Sequence, residues 1–80
     1  MLLIMNEENK LQRIKLIGER IKQLRLNAGY TSYETFAVDK GLDRKHYWRL
    51  EKGSNFTLTT LIRICDIHNI SLKDFFKDID

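Results

Sequence analysis

Apolar residues recur along this chain in steps of three and four, the repeat that gathers them on one side of a helix. Between residues 7 and 28 they fall at Leu11, Ile14, Ile17, Ile21, Leu24 and Ala28. One long helix is expected there, closed by Gly29, with Leu16 and Leu26 off its apolar face. Its first half is expected to project, because a chain of 80 residues cannot cover so long an element. The turn Tyr30–Thr31–Ser32 precedes a second helix with Phe36 and Ala37 on its apolar face and Gly41 at its end. Ser32 suits its N-cap, and Thr31 with Glu34 would form a capping box instead. Leu42 opens the next turn, Asp43 caps a third helix, and Gly53 stops it. After the loop SNF, Thr57 caps a fourth helix with Leu58, Leu61, Ile62, Ile64 and Cys65 inward. Asn69 can close that helix in the left-handed conformation. Ser71 with Asp74 caps a fifth helix, in which Leu72, Phe75 and Phe76 pack. Proline is absent and strand-like alternation scarce, so the fold class is all-α, five helices in one domain.

The third helix, DRKHYWRLEKG over residues 43–53, divides by angle. At about 100° per residue, Arg44, Trp48, Lys52, Lys45 and Arg49 follow one another around an arc of roughly 140°. Tyr47 and Leu50, on the opposite side, are suited to anchor the helix, and Glu51 also lies inward. A charged helix face is most often a solvated one. A large aromatic on such a face is poorly explained by solubility and points to a contact surface, for nucleic acid or for protein.

Charge sharpens this reading. The net charge is +3, which proves little by itself. Its distribution says more: residues 44–52 carry four cations and one acid, whereas from residue 66 onward Asp66, Asp74, Asp78 and Asp80 stand against Lys73 and Lys77. A cationic middle with an acidic tail suits a protein with one anion-facing side. With 42% hydrophobic and 31% charged residues the chain is expected to fold and not to be disordered.

Other chemistries find little to work with. Cys65 is the lone cysteine, so no intrachain disulfide can form, and it is expected as a small buried hydrophobe. His46 and His68 stand apart, which leaves no metal-ligand cluster. Ser32 and Ser71 are caps without a histidine–acid partner, so no enzyme and no cofactor is expected. The opening MLLIM is too short for a signal-peptide core or a membrane span, and the expected location is cytoplasmic.

Taken in order, IGERIKQLR, GYTS, FA, KGLDRKHYWRLEKG and NFTLTTLIRICDIHNISLKDFF resemble the phage repressor and Cro-type (Xre-like) helix-turn-helix family over about residues 17–76. Each piece alone is weak; the ordered combination is specific. The resemblance implies a compact five-helix lambda-repressor-like fold. It would here carry an extended N-terminal helix, with residues 1–16 a partly helical extension and residues 17–80 the DNA-binding domain. It implies that the third helix lies in the major groove of double-stranded DNA, with the second helix crossing it against the backbone. The family's base-reading positions fall on Arg44, Lys45 and Arg49, with Trp48 beside them. Its phosphate contacts fall on Ser32 and Tyr33 and, after the third helix, on Lys52, Ser54 and Asn55. Arg25 and Glu51 match positions that form a largely buried ion pair. The chain departs from the family pattern at Tyr33, where glutamine is common, and at Phe56, where proline is frequent.

The expected function is a sequence-specific DNA-binding transcriptional regulator, a repressor. One short helix reads few base pairs, so a homodimer on two half-sites is expected. MLLIM with Leu11 and Leu16, or the Phe75–Phe76–Ile79 end, would supply its surface. The rival reading is an antitoxin or other interaction module on the same scaffold, with a small protein partner such as a toxin.

Overall fold

The computed structural model describes residues 7–79, so MLLIM lies outside the described residues. Five helices follow in order: α1 (Glu7–Asn27), α2 (Tyr33–Asp39), α3 (Arg44–Lys52), α4 (Leu58–Ile67) and α5 (Leu72–Phe76). The described residues contain no strand, and the all-α five-helix fold is the observed one.

Short-range chemistry sets the helix boundaries. The side chains of Ser32, Asp43, Thr57 and Ser71 each accept a hydrogen bond from the backbone N–H three residues on, at Thr35, His46, Thr60 and Asp74. Each bond satisfies one of the donors that a helix start leaves without a partner. Of the two caps open to α2, Ser32 is the one used. The helices end by a common device. Gly41 has φ +70, and the Leu42 N–H reaches back to the Ala37 carbonyl at 2.8 Å. The same closure joins Tyr30 to Arg25 across Gly29 and Ile70 to Cys65 across Asn69, whose φ is 55. In all three the residue after the left-handed one is apolar and packs against the core.

The core is built around Phe36. Its ring lies 5.1 Å from Tyr30, 5.1 Å from Tyr47 and 5.3 Å from His68, so one α2 side chain ties together the turn after α1, α3 and the end of α4. Ile21, Leu24, Ala37, Leu50, Leu61, Ile64, Cys65 and Phe75 complete the buried cluster. Burial along α1 fades toward its start: Ile21 and Leu24 are buried, Ile14 and Ile17 half-buried, and Leu11 is exposed. The helix runs unbroken past residue 16.

Several expected core positions are turned out. Leu58 is 76% and Ile62 47% exposed, as are Leu72 and Phe76 in part. On α4, Leu61, Ile64 and Cys65 share an arc of roughly 100°, and Leu58 and Ile62 lie just past its edge. The five-residue α5 is too short to bury more than one side, which Phe75 occupies. Ala28 falls after the last helical residue and is exposed.

The close crossing of α1 and α3 depends on two glycines. A Cβ on Gly18 would lie 2.8 Å from the Glu51 carbonyl oxygen, the Leu50 carbonyl oxygen and the Gly53 nitrogen. A Cβ on Gly53 would lie 3.0 Å from Lys15 Cα, and Gly53 also has φ +93. Gly18→Ala would recover about 1 kcal/mol of helix propensity. Its methyl, however, meets backbone that cannot swing aside, and overpacking of this kind costs typically about 1–3 kcal/mol. A net destabilisation is expected in urea denaturation, larger for Gly18→Val; a stabilised Gly18→Ala would contradict the close approach.

Two arginines join distant parts of the chain. Arg20 Nε donates to the Phe75 carbonyl at 2.9 Å and Nη2 to that of Asp74 at 3.0 Å, satisfying acceptors at the end of α5. Arg63 Nη2 donates to the Gly41 carbonyl at 3.0 Å, which braces the turn between α2 and α3 from α4.

His68 stacks on Phe36 at an interplanar angle of 8°, and its Nε2 is buried without a hydrogen-bond partner. Burial, then the charges of Lys40 and Arg20, lower its pKa from the ordinary 6.5. The unfolded chain therefore takes up this proton more readily than the folded one. Stability should be fully retained above the ordinary value and lost as the pH falls from 6.5 through the lower folded value. Urea midpoints at about pH 7.5 and about pH 5.5 should differ in that direction, and His68→Gln should flatten the difference. An unchanged slope in the variant would locate the pH dependence elsewhere.

Candidate nucleic-acid interface

The inner side of α3 determines where its outer side points. Tyr47 and Leu50 are fully buried. Beside them Arg25 Nε donates to Glu51 Oε2 at 2.7 Å and Nη2 to Oε1 at 3.0 Å, a two-point pairing. The third guanidinium nitrogen, Nη1, donates to the Tyr30 carbonyl at 2.9 Å. Only 5% of the Arg25 side chain and 7% of that of Glu51 are exposed. One arginine thus ties α1, the turn before α2 and the end of α3 together. Hydrogen bonding to Glu51 raises the Arg25 pKa above its already high ordinary value. The Tyr47 hydroxyl is buried beside the pair without being aligned for a hydrogen bond. Burial first, and Glu51 next, push its pKa far above the ordinary phenol range, which keeps it neutral.

The outer side carries Arg44, Lys45, Trp48, Arg49 and Lys52, all exposed. Trp48 is 41% exposed, and Lys52 Nζ stands 5.5 Å from its ring centroid. That distance is within the range of a cation–π attraction. Tyr33, at the start of α2, and Trp48 form a ridge between two depressions. Arg44 and Lys45 line one, together with Glu34 and Asp43. Lys52 lines the other, together with Lys15, Glu19 and Lys22 of α1.

The structure therefore brings Tyr33, Arg44, Lys45, Trp48 and Lys52 onto one continuous surface. Ser32 stands next to Tyr33, its oxygen accepting the Thr35 N–H at 3.2 Å. Arg49 is exposed but lines neither depression. Ser54 and Asn55 border a different groove, with Ile14, Ile17, Leu58 and Phe76. Gly18, Arg20 and Arg63 hold this arrangement and carry little in the sequence to announce it. A glycine inside a 21-residue helix is the exception, since it is unfavourable there unless packing requires it. Among the described residues, no three His, Cys, Asp or Glu side chains are grouped to hold a metal ion, and no helix is long and apolar enough to cross a membrane.

Two short helices joined by a glycine turn, the second presenting a cationic face, make a helix-turn-helix, and residues 21–75 match the helix-turn-helix family as a whole. This chain belongs to the Cro/C1-type helix-turn-helix family. The match runs from Ile21 in α1 to Phe75 in α5, so it takes in the scaffold as well as α2 and α3. The chain is also 36% identical over 64 residues to the control protein C.MunI of Mycoplasma sp, an overlap that spans 79% of this chain and 86% of that protein. No solved structure matches it. As a member of the helix-turn-helix family, the protein is a DNA-binding transcription regulator.

Proposed function

We propose that this protein is a sequence-specific repressor that reads double-stranded DNA in the major groove with the outer face of α3. The observation that carries this reading is the division of one nine-residue helix. Tyr47 and Leu50 are buried and Glu51 is held by Arg25, while every cation and the tryptophan face outward. Arg44 and Lys45 occupy the first turn of α3, where a recognition helix first meets base edges. Arginine can pair with guanine O6 and N7 together, and lysine reaches the same acceptors, so G·C pairs belong in the half-site. Arg49 and Trp48 continue this face by one turn. Ser32, Tyr33 and Lys52, with Ser54 and Asn55 beyond Gly53, serve the phosphates. Occupation of the groove excludes other proteins from the same site, and repression follows from that exclusion. The relative's designation as a control protein supports a regulatory role.

Affinity adequate for regulation needs a homodimer on two half-sites. The exposed apolar side chains of Leu58, Ile62 and Phe76 give such a dimer surface to form on. Phe75 is fully buried and does not contribute contact area. The same apolar side chains favour the second reading, a module that binds a small protein such as a toxin. In either case its action would lie in the cytoplasm of a bacterial cell.

The protein carries its own reporter, because Trp48 is its single tryptophan. Titration with a duplex should quench Trp48 fluorescence and shield it from iodide, with a midpoint that weakens steeply as salt rises. A Trp48 signal that no duplex changes, in protein that copurifies with a small partner, would support the second reading and sink the first.

A further inference from the structure

We infer that α1 supplies a second phosphate-binding surface, formed by Lys15 and Lys22 across the groove from Lys52 and Trp48. This inference rests on the DNA-binding reading of α3 and extends its footprint. Lys15 and Lys22 are seven residues apart, which on a helix is two turns and about 10 Å along nearly the same line. Both line the depression whose opposite wall is Trp48 and Lys52. That wall belongs to the reading face of α3, so a strand backbone followed outward from α3 enters this groove. Lys15 starts from the close crossing of α1 and α3, where its Cα would meet a Gly53 Cβ at 3.0 Å. Its stem is therefore fixed relative to the end of α3.

The charge of the groove suits a phosphodiester. Lys15, Lys22, Arg25 and Lys52 line it with Glu19 and Glu51, and setting aside the Arg25–Glu51 pair leaves three cations against one carboxylate. Glu51 is already committed to Arg25 by two hydrogen bonds. Glu19, between the two lysines on α1, moderates the field without cancelling it. The one guanidinium on the α1 side, Arg25, is already committed to Glu51 and the Tyr30 carbonyl, which leaves α1 only ammonium groups that act as point charges. The ligand is thus backbone phosphate, and its contribution is to affinity and salt dependence, with no bearing on which bases are preferred.

The test is the double variant Lys15→Gln/Lys22→Gln in the full chain, titrated with the duplex preferred by the wild type and with a scrambled duplex, across a salt series. Each phosphate contact contributes about 0.9 to the slope of log K against log salt. The double variant should lower the slope by about 1.8 and weaken binding about twentyfold at 0.2 M salt on both duplexes alike. The preference between duplexes should stay the same, as should the helical circular dichroism. Glu19→Gln should strengthen binding to both. An unchanged slope in a folded double variant, with the wild type still salt-sensitive, overturns the α1 surface and leaves the α3 reading intact. Absence of salt-sensitive binding in the wild type itself overturns both.

Discussion

Replacing Arg44 and Arg49 together with alanine should bring binding of the preferred duplex down to the level of a scrambled one. A good two-point contact from arginine to guanine is worth about 1–3 kcal/mol of discrimination. Two such losses correspond to at least about a thirtyfold drop in preference. The fold should survive, since both side chains are exposed and the substitutions touch no buried partner. Arg44 is the first residue of α3, where a cation sits unfavourably against the helix dipole, so alanine there should if anything help the helix by a few tenths of a kcal/mol. Arg44→Lys separates charge from shape: it should retain non-specific affinity and lose part of the preference, because the ammonium lacks the rigid planar fork that fixes the geometry of pairing to guanine O6 and N7. Equilibrium titrations at fixed salt, with circular dichroism alongside, decide this. Normal preference in the double variant would mean that α3 is not the reader.

The second large effect concerns stability. Glu51→Ala removes the partner of an arginine that is 4% exposed and leaves a buried charge with only the Tyr30 carbonyl as acceptor. Breaking a buried pair in this way costs about 3–5 kcal/mol. Small domains hold only about 5–15 kcal/mol in total, so the variant should be marginal or unfolded near physiological temperature. The double variant Arg25→Met/Glu51→Met should recover much of the loss, since apolar residues of similar volume can replace a buried pair at little cost. Urea denaturation of the wild type, Arg25→Met, Glu51→Met and the double variant gives the coupling. A loss under about 1 kcal/mol for Glu51→Ala would assign the pair the modest worth of an exposed one, and α3 would have to be held by Tyr47 and Leu50 alone.

Much of the fold was legible in the sequence because much of it is local. A cap is chosen by the oxygen of one side chain and an amide three residues on, so Ser32, Asp43, Thr57 and Ser71 could be read from spacing. The division of α3 into an anchored and an exposed side follows from its angular order, because Tyr47 and Leu50 fall together and are buried while Trp48 falls among the cations. On α4, five apolar residues cover so wide an arc that spacing does not say which edge faces in. Leu58 and Ile62 were assigned inward and are exposed. Contacts between elements distant in sequence left no local mark. Arg20 reaches Phe75 across 55 positions and Arg63 reaches Gly41 across 22, and either could have been a solvated arginine. The approach of Gly18 to the end of α3 depends on how two helices cross, which periodicity does not encode. The same limit applies to the candidate site. Its α3 residues form a visible pattern, whereas Lys15 and Lys22, on one line of α1 by their spacing, face the α3 groove only once α1 is laid against α3.

The central claim is that the outer face of α3 selects DNA by sequence. Selection of bound duplexes from a random pool, carried out at two salt concentrations, tests it most directly. The prediction is an enriched motif of two half-sites related by two-fold symmetry, each containing G·C pairs, and sharper at the higher salt as non-specific binding fades. Retention at low salt with no enrichment at either concentration would contradict it.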